Sequence, residues 1–271
     1  RARGRLEEAL EAYRTLAELP VGAAPELRWR VQWGLGCTAL QLERVEMALV
    51  ALKEAAQDKP DSIPVLRSLA EASLRANLTR EALDGAASVL RLAPDDVDTL
   101  SWFADFVTRV GEPRRAVEAL ERAVQLDPAR PDLLVNLASG QASAGDLAGA
   151  RGTLEKLLSL PLPVAASRAD LRRAAHVYLR LEDPQAALAC YARALMAGAP
   201  APSALLFEVA NLHERLGNYE AALDLVQQAL DGAAAPERLS AYQSLAVNLP
   251  SSEQLPADEL ALRTVRRGPV S

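Results

Sequence analysis

The stretch from residue 97 to residue 128 contains two runs of apolar residues with helical spacing, separated by a turn. The first run has the i, i+3, i+4, i+7 spacing of one helical face, at Leu100, Phe103, Ala104 and Val107. The second run lies at Ala116, Leu120, Ala123 and Val124. Gly111 marks the turn because glycine adopts positive φ easily, and Pro113 fits the first turn of the next helix. The pattern predicts a helix–turn–helix unit.

This unit occurs six times along the chain. With Val97 as position 1, the units begin at Trp29, Ile63, Val97, Pro131, Arg168 and Ser203, at separations of 34, 34, 34, 37 and 35 residues. Position 8 is small in every unit: Gly36, Ala70, Ala104, Ala138, Ala175 and Ala210. Position 20 is alanine in every unit: Ala48, Ala82, Ala116, Ala150, Ala187 and Ala222. Because small side chains let helix axes approach closely, these columns predict the helix–helix contacts.

Six copies of a 34-residue helix–turn–helix with these columns resemble the tetratricopeptide repeat. The resemblance extends from Trp29 to Pro236, although Gln32 departs from the leucine of position 4, and the aromatic residue of position 11 is kept only at Tyr178. It implies an all-α fold, a right-handed superhelical solenoid whose concave groove is lined by the first helix of each repeat. Such units contact only their neighbours, so they must stack to bury their apolar faces.

The repeat boundaries divide the chain into three segments. Residues 1–28 read as the second helix of a truncated repeat plus a loop, residues 29–236 as the six repeats, and residues 237–271 as a capping helix and C-terminal tail. Gly4 matches the turn position of a repeat whose first helix is missing, and the chain begins without methionine. We therefore expect a fragment of a longer bacterial protein.

Charge and hydropathy exclude two classes of partner. The net charge is −6 and the pI is near 5.2, whereas a nucleic-acid surface needs a basic face. No run approaches the roughly 18 apolar residues that span a membrane, so we expect a soluble chain without direct membrane insertion. The sequence does not distinguish a cytoplasmic from a periplasmic location, and it leaves the oligomeric state open.

The sequence shows no catalytic or metal-binding motif. Cys37 and Cys190 are four repeats apart, too far for a disulfide in a stack of repeats. His176 and His213 lack ligand spacing, and no phosphate-binding glycine loop is present. We therefore predict no catalytic residues, no metal, no cofactor and no enzymatic activity.

The resemblance implies that positions 2, 5, 6, 9, 12 and 13 of each first helix face the groove. The candidate partner-binding residues at these positions are Trp33, Arg67, Trp102, Arg109, Asn136, Arg172, Arg173, His176, Arg180, Phe207, Asn211 and Arg215. Tryptophan and arginine are the types that anchor interfaces. Two alternatives stay open: the tryptophans cover seams between adjacent repeats, and the arginines that alternate with acids form a solvated face.

Some tetratricopeptide domains bind the acidic C-terminus of chaperones through a two-carboxylate clamp. We compare the residues of this clamp with the groove positions of this chain. The best match to this clamp consists of Ser101, Asp105, Asn136, Ala169 and Arg173. Only Asn136 and Arg173 fit, and Asp105 would repel a carboxylate. A co-chaperone function is therefore a poor match.

We predict a non-catalytic scaffold that binds a partner protein or peptide in its concave groove, with an acidic peptide as the sharper hypothesis. The cluster of Arg172, Arg173, His176 and Arg180 in repeat five favours an acidic partner, with Arg215 following in repeat six. One alternative is an accessory region of a larger enzyme or signalling protein. Another is a periplasmic scaffold in envelope assembly or exopolysaccharide export. The identity of the partner is not readable from the sequence.

Overall fold

The computed structural model describes residues 2–18, 25–160, 166–197 and 200–232, and within them the chain forms thirteen α-helices and no strand. In chain order these are α1 (Ala2–Ala17), α2 (Pro25–Gln41), α3 (Val45–Asp58), α4 (Ile63–Arg75), α5 (Thr79–Leu92), α6 (Val97–Val110), α7 (Pro113–Leu126), α8 (Pro131–Ala144), α9 (Leu147–Ser159), α10 (Arg168–Arg180), α11 (Pro184–Met196), α12 (Ser203–Arg215) and α13 (Tyr219–Gly232). The all-α repeat fold predicted from the sequence is confirmed.

The helices belong to two compact units, one ending at Cys190 and the other beginning at Tyr191, within α11. In the first unit, α2 packs on α3, α4 on α5, α6 on α7, and α8 on α9; in the second, α12 packs on α13. Helices α4, α6, α8, α10 and α12 begin at the residues counted above as position 1. The segment 237–271, expected to cap the array, lies outside the described residues.

Helix α2 begins at Pro25, four residues before the first matched position of repeat one, Trp29. Proline is tolerated in the first turn of a helix, where its missing N–H has no intrahelical partner to lose. The repeat period alone does not reveal such an extension, because it lies before the first matched position.

The turn of every repeat contains one residue in the left-handed region, always at position 15. The values of φ are 62° at Glu43, 60° at Asn77, 92° at Gly111, 88° at Gly145, 56° at Glu182 and 78° at Gly217. The backbone there closes the first helix: the N–H of Gly111 bonds to the carbonyls of Val107 and Thr108. The turn geometry is thus common to all six repeats, while only three of them use glycine.

The small-residue columns lie where the helices meet. Every alanine at position 20 is at most 3% exposed. In repeat one, a β-carbon added to Gly36 would lie 2.5 Å from Cγ of Leu52, a side chain that is itself fully buried. The large apolar residues fill the space beside these contacts, as the core between α4 and α8 shows with Leu100, Phe103 and Leu133. Close approach of backbones therefore builds the core.

We expect Gly36→Ala to lower the free energy of unfolding by about 1–2 kcal/mol. Overpacking against Leu52 destabilises the fold by more than the higher helix propensity of alanine stabilises it. Gly152→Ala is the matched control: it also lies inside a helix, and no atom lies within 4 Å of the added carbon. It should raise the same free energy by about 0.5–1 kcal/mol. Urea unfolding measures both; equal shifts would contradict the packing at Gly36.

Glu182 is exposed and adopts a positive φ, which is sterically unfavourable for a residue with a β-carbon. Glu182→Gly should therefore stabilise the protein by about 0.5–1 kcal/mol. The reverse change, Gly111→Ala, should destabilise it by about 1 kcal/mol. The two variants should shift the thermal unfolding midpoint in opposite directions. A shift of the same sign would show that the turn relaxes away from the left-handed conformation.

Candidate protein-binding surface

Trp33 on α2 bridges the first two repeats. Its Nε1 donates a hydrogen bond to Oγ of Ser68 on α4, at 3.0 Å, and the half-buried ring packs against the core that contains Leu10 and Leu52. Cys37 lies beside this contact, with its Sγ 3.4 Å from the same Oγ. The arrangement matches the alternative in which the tryptophan covers the seam between repeats.

Arg67 and Trp102 form a stacked contact between repeats two and three. The guanidinium of Arg67 lies over the indole of Trp102, 4.8 Å from the ring centroid, and donates to Oγ1 of Thr99 at 2.8 Å. Trp102 in turn packs against Phe106, with the ring centroids 5.3 Å apart. The Nε of Arg67 is buried and finds no acceptor among the described residues. Both candidates therefore hold the seam, with their outer faces partly exposed.

Arg109 is engaged by the preceding repeat through Glu71. The two terminal nitrogens of its guanidinium lie 2.9 and 3.3 Å from the two carboxylate oxygens of Glu71, a bidentate pair. Arg75 donates to the same carboxylate at 3.1 Å, and Asp105 lies 3.3 Å from Arg109. The bond from Arg109 is the main cause that lowers the pKa of Glu71. Two cations and two anions thus balance each other on this face.

The predicted basic cluster of repeat five lies on one exposed face of α10, where the structure places Arg172, Arg173, His176 and Arg180. Arg173 hydrogen-bonds to Oδ1 of Asn136 on α8, and one of its nitrogens lies 3.6 Å from Asp170. Arg180 donates to Oγ of Ser143 at 3.4 Å. This face therefore carries several positive charges beside the polar surface of α8.

A pocket of about 180 Å³ opens between the first helices of repeats three, four and five. Its walls are Ser101, Ala104, Asp105 and Thr108 of α6, Leu120 of α7, Asn136, Ser139, Gly140 and Ser143 of α8, and Arg173 of α10. Asp105 and Arg173 belong to the repeats on either side of α8. The pocket exists because the residues of α8 that face it are small, and it brings Asn136 and Arg173 of the candidate set together.

Most pocket residues were absent from the candidate set, although they occupy groove positions of their repeats: Ser101, Asp105, Thr108, Ser139 and Ser143. The signal that identifies them is small size, because Ser139, Gly140 and Ser143 leave space along α8. Residue types that anchor interfaces have large side chains, whereas the residues that leave this pocket open have small ones.

The remaining candidates lie on α12, in the second unit. Phe207 is half-buried and packs against the core formed by Ala210, Ala222 and Val226. Asn211 is half-buried and Arg215 is exposed. These three residues therefore share one helix, with the phenyl ring anchored in the core of its own repeat.

The described residues give no indication of reactive or metal chemistry. Burial raises the pKa of the Cys37 thiol, which keeps it protonated at neutral pH. Within the same residues, no group of three or more His, Cys, Asp or Glu side chains could hold a metal ion. None of the helices described is long and apolar enough to cross a membrane.

Comparison with known folds agrees with this architecture. A tetratricopeptide repeat protein from Parabacteroides merdae aligns with a TM-score of 0.58 at 14% identity, over 89% of this chain and 92% of that one. PilF from Pseudomonas aeruginosa aligns with a TM-score of 0.52 at 20% identity, over 90% and 99%. A chain of the APC/C hetero-tetramer Cut9–Hcn1 aligns with a TM-score of 0.51 at 16% identity, over 92% of this chain and 46% of that one. At these identities the likeness concerns the fold alone.

Family models support the same conclusion from sequence. Models of the tetratricopeptide repeat match residues 1–63, 109–160 and 172–238, together more than half of the chain. No curated protein matches the sequence. Tetratricopeptide repeats in general act as scaffolds for protein–protein interaction and are in general non-catalytic. The period, the paired helices and the family models agree, and the chain belongs to the tetratricopeptide repeat family.

Proposed function

We propose that this chain is a non-catalytic scaffold that binds an acidic peptide segment of a partner protein along α6, α8 and α10. The observation that carries the proposal is the basic face of α10, with Arg172, Arg173, His176 and Arg180 exposed together beside a pocket. Like charges on one helix face repel each other, and Asp170, 3.6 Å from Arg173, offsets part of this repulsion, so the face favours a partner of opposite charge.

The contrast with repeats two and three supports this location. There Arg75 and Arg109 bind the carboxylate of Glu71, and their charge is used within the scaffold. On α10, Arg180 contacts the Ser143 hydroxyl and no carboxylate among the described residues. A partner carboxylate can therefore bind Arg180 without breaking an ion pair made within the described residues.

The recognition would combine charge and apolar contact. Arginine binds a carboxylate through two parallel hydrogen bonds, which favours aspartate, glutamate or a free C-terminus. The exposed part of Trp102, which follows the pocket residue Ser101 on α6, is proposed as an apolar contact of the peptide. Trp33, Arg67, Arg109 and Asn136 are proposed as secondary contacts of the same segment. Phe207, Asn211 and Arg215 are proposed as partner-binding residues of the second unit by itself.

The test uses peptides with free C-termini, selected from a displayed random library against the whole chain. We expect selected peptides to be enriched in acidic residues. Arg172→Glu with Arg173→Glu should weaken their binding at least about tenfold, as measured by fluorescence anisotropy, because charge-assisted bonds contribute about 1.5–3 kcal/mol each. Wild-type affinity should also fall as ionic strength rises from about 0.01 to 0.15 M, where the screening length shrinks from about 30 to 8 Å.

Arg80→Glu with Arg114→Glu is the matched control, since it makes the same change in net charge. Both residues are exposed in the first turns of α5 and α7, away from the basic face of α10. This control should leave peptide affinity nearly unchanged. If the α10 double variant is folded by circular dichroism and binds as tightly as the wild type, the basic face of α10 is not the site.

The paired face of repeats two and three should serve stability. Glu71→Gln should lower the free energy of unfolding by about 1 kcal/mol at neutral pH, because both arginines lose their carboxylate. Since its pKa is lowered in the folded state, this contribution is present above the ordinary glutamate pKa of about 4.3 and is lost as pH falls below it. The difference between wild type and variant should therefore shrink in acid.

Glu121→Gln provides the comparison, because Glu121 is exposed on α7 and forms no ion pair among the described residues. Urea unfolding at neutral and acidic pH should show a pH-dependent loss for the first variant only. A loss of the same size at both pH values would show that the Glu71 carboxylate charge does not stabilise the fold.

A further inference from the structure

We propose that the pocket between α6, α8 and α10 accepts one uncharged hydrogen-bonding side chain of the bound peptide, a carboxamide or a hydroxyl, and rejects charged ones. This inference rests on the proposed function, in that a peptide must lie across these helices. It adds a specificity that the basic face of α10 does not supply.

The volume of the pocket limits its occupant. Small-molecule sites measure roughly 300–1,000 Å³, whereas this pocket measures about 180 Å³. It is therefore too small for a typical cofactor or metabolite and suits a single amino-acid side chain. Its lining is mostly polar: Ala104, Leu120 and Gly140 are apolar, and the other seven residues carry hydrogen-bonding or charged groups.

The charges at the walls then select against ionised side chains. Asp105 on one side and Arg173 on the other have opposite signs. A carboxylate that enters gains Arg173 but approaches Asp105, and an ammonium gains Asp105 but approaches Arg173. Either ion is therefore repelled by one of the two charged residues, which is a cost to binding. A neutral dipole can satisfy both walls without this cost.

The hydrogen-bonding groups of the pocket match a carboxamide. Oδ1 of Asn136 already accepts from Arg173, whereas its Nδ2 makes no hydrogen bond within the described part of the chain and offers two N–H donors. The Asp105 carboxylate is 72% exposed and has acceptor capacity beyond its contact with Arg109. The oxygen of a glutamine side chain can therefore accept from Asn136 while its NH₂ donates to Asp105.

The hydroxyl groups of the walls extend the same chemistry. Ser143 and Thr108 each donate to the carbonyl four residues earlier, so their oxygens keep acceptor capacity for a further hydrogen bond. Ser101 and Ser139 add two further hydroxyls. A serine or threonine of the peptide can bond with these groups, which places hydroxyl side chains beside carboxamides as accepted occupants.

The experiment starts from the peptides selected with the wild-type chain. We expect one position to be enriched in Gln, Asn, Ser or Thr, next to the acidic residues that α10 prefers. Replacing that residue by Glu or by Lys in a synthetic peptide should weaken binding at least about tenfold. In the Asp105→Asn variant the peptide with Glu at this position should bind more tightly than the selected peptide, because the pocket then presents Arg173 without an opposing carboxylate.

Ser143→Leu fills the pocket and should weaken every selected peptide, while Ser88→Leu should not. The two serines are matched: each lies inside a helix, donates to the carbonyl four residues earlier at 2.9 Å and accepts from an arginine. Ser88 lies on α5, outside the pocket. Circular dichroism checks that both variants are folded. If Ser143→Leu is not folded, Asp105→Asn tests the pocket independently.

The outcomes separate this inference from the proposed function. Acidic peptides whose neutral position tolerates Glu as well as Gln would overturn the pocket inference and leave the acidic partner standing. A neutral position without acidic enrichment would overturn the acidic partner and support the pocket. Equal affinity for wild type, Asp105→Asn and a folded Ser143→Leu would show that no side chain enters the pocket.

Discussion

The close approach of helices at the small-residue columns is the constraint on which the other features depend. At position 20 the alanines are almost fully buried, and at Gly36 there is no room for a β-carbon beside Leu52. The spacing of the helices is therefore set by backbones and β-carbons rather than by long side chains. Ion pairs between exposed residues add little to this, since each contributes about 1 kcal/mol or less. Within the first unit, adjacent repeats lie close enough for side chains on the first helices to reach across the seam.

That reach explains why several residues of the interface-anchoring types are engaged within the scaffold. Trp33 donates to Ser68, Arg67 stacks on Trp102, and Arg109 holds Glu71, in each case across a seam. A large side chain at a groove position can contact the neighbouring repeat before it can contact a partner. The first three repeats therefore present a face whose charges and hydrogen bonds are largely balanced internally.

Repeat four interrupts this balance because its first helix carries small side chains. Ser139, Gly140 and Ser143 do not fill the space between α6 and α10, which opens the pocket. Beyond it, Arg173 of α10 lies beside Asn136 and Asp170, and Arg180 lies beside Ser143. The candidate site thus arises from a difference between repeats, although the repeats share one backbone plan.

The sequence by itself determined the backbone plan: the period, the start of five first helices, the glycine turn at Gly111 and the buried columns at positions 8 and 20. These features depend on local spacing and on the size of single residues, which a sequence displays directly. The tertiary structure decided the rest. The positive φ at Glu182 is a backbone angle that a glutamate does not announce in the sequence. The pairing of Arg109 with Glu71 joins residues about one repeat apart and depends on how far each side chain extends. A pocket depends on what three helices leave unfilled together, so no single stretch of sequence reveals it.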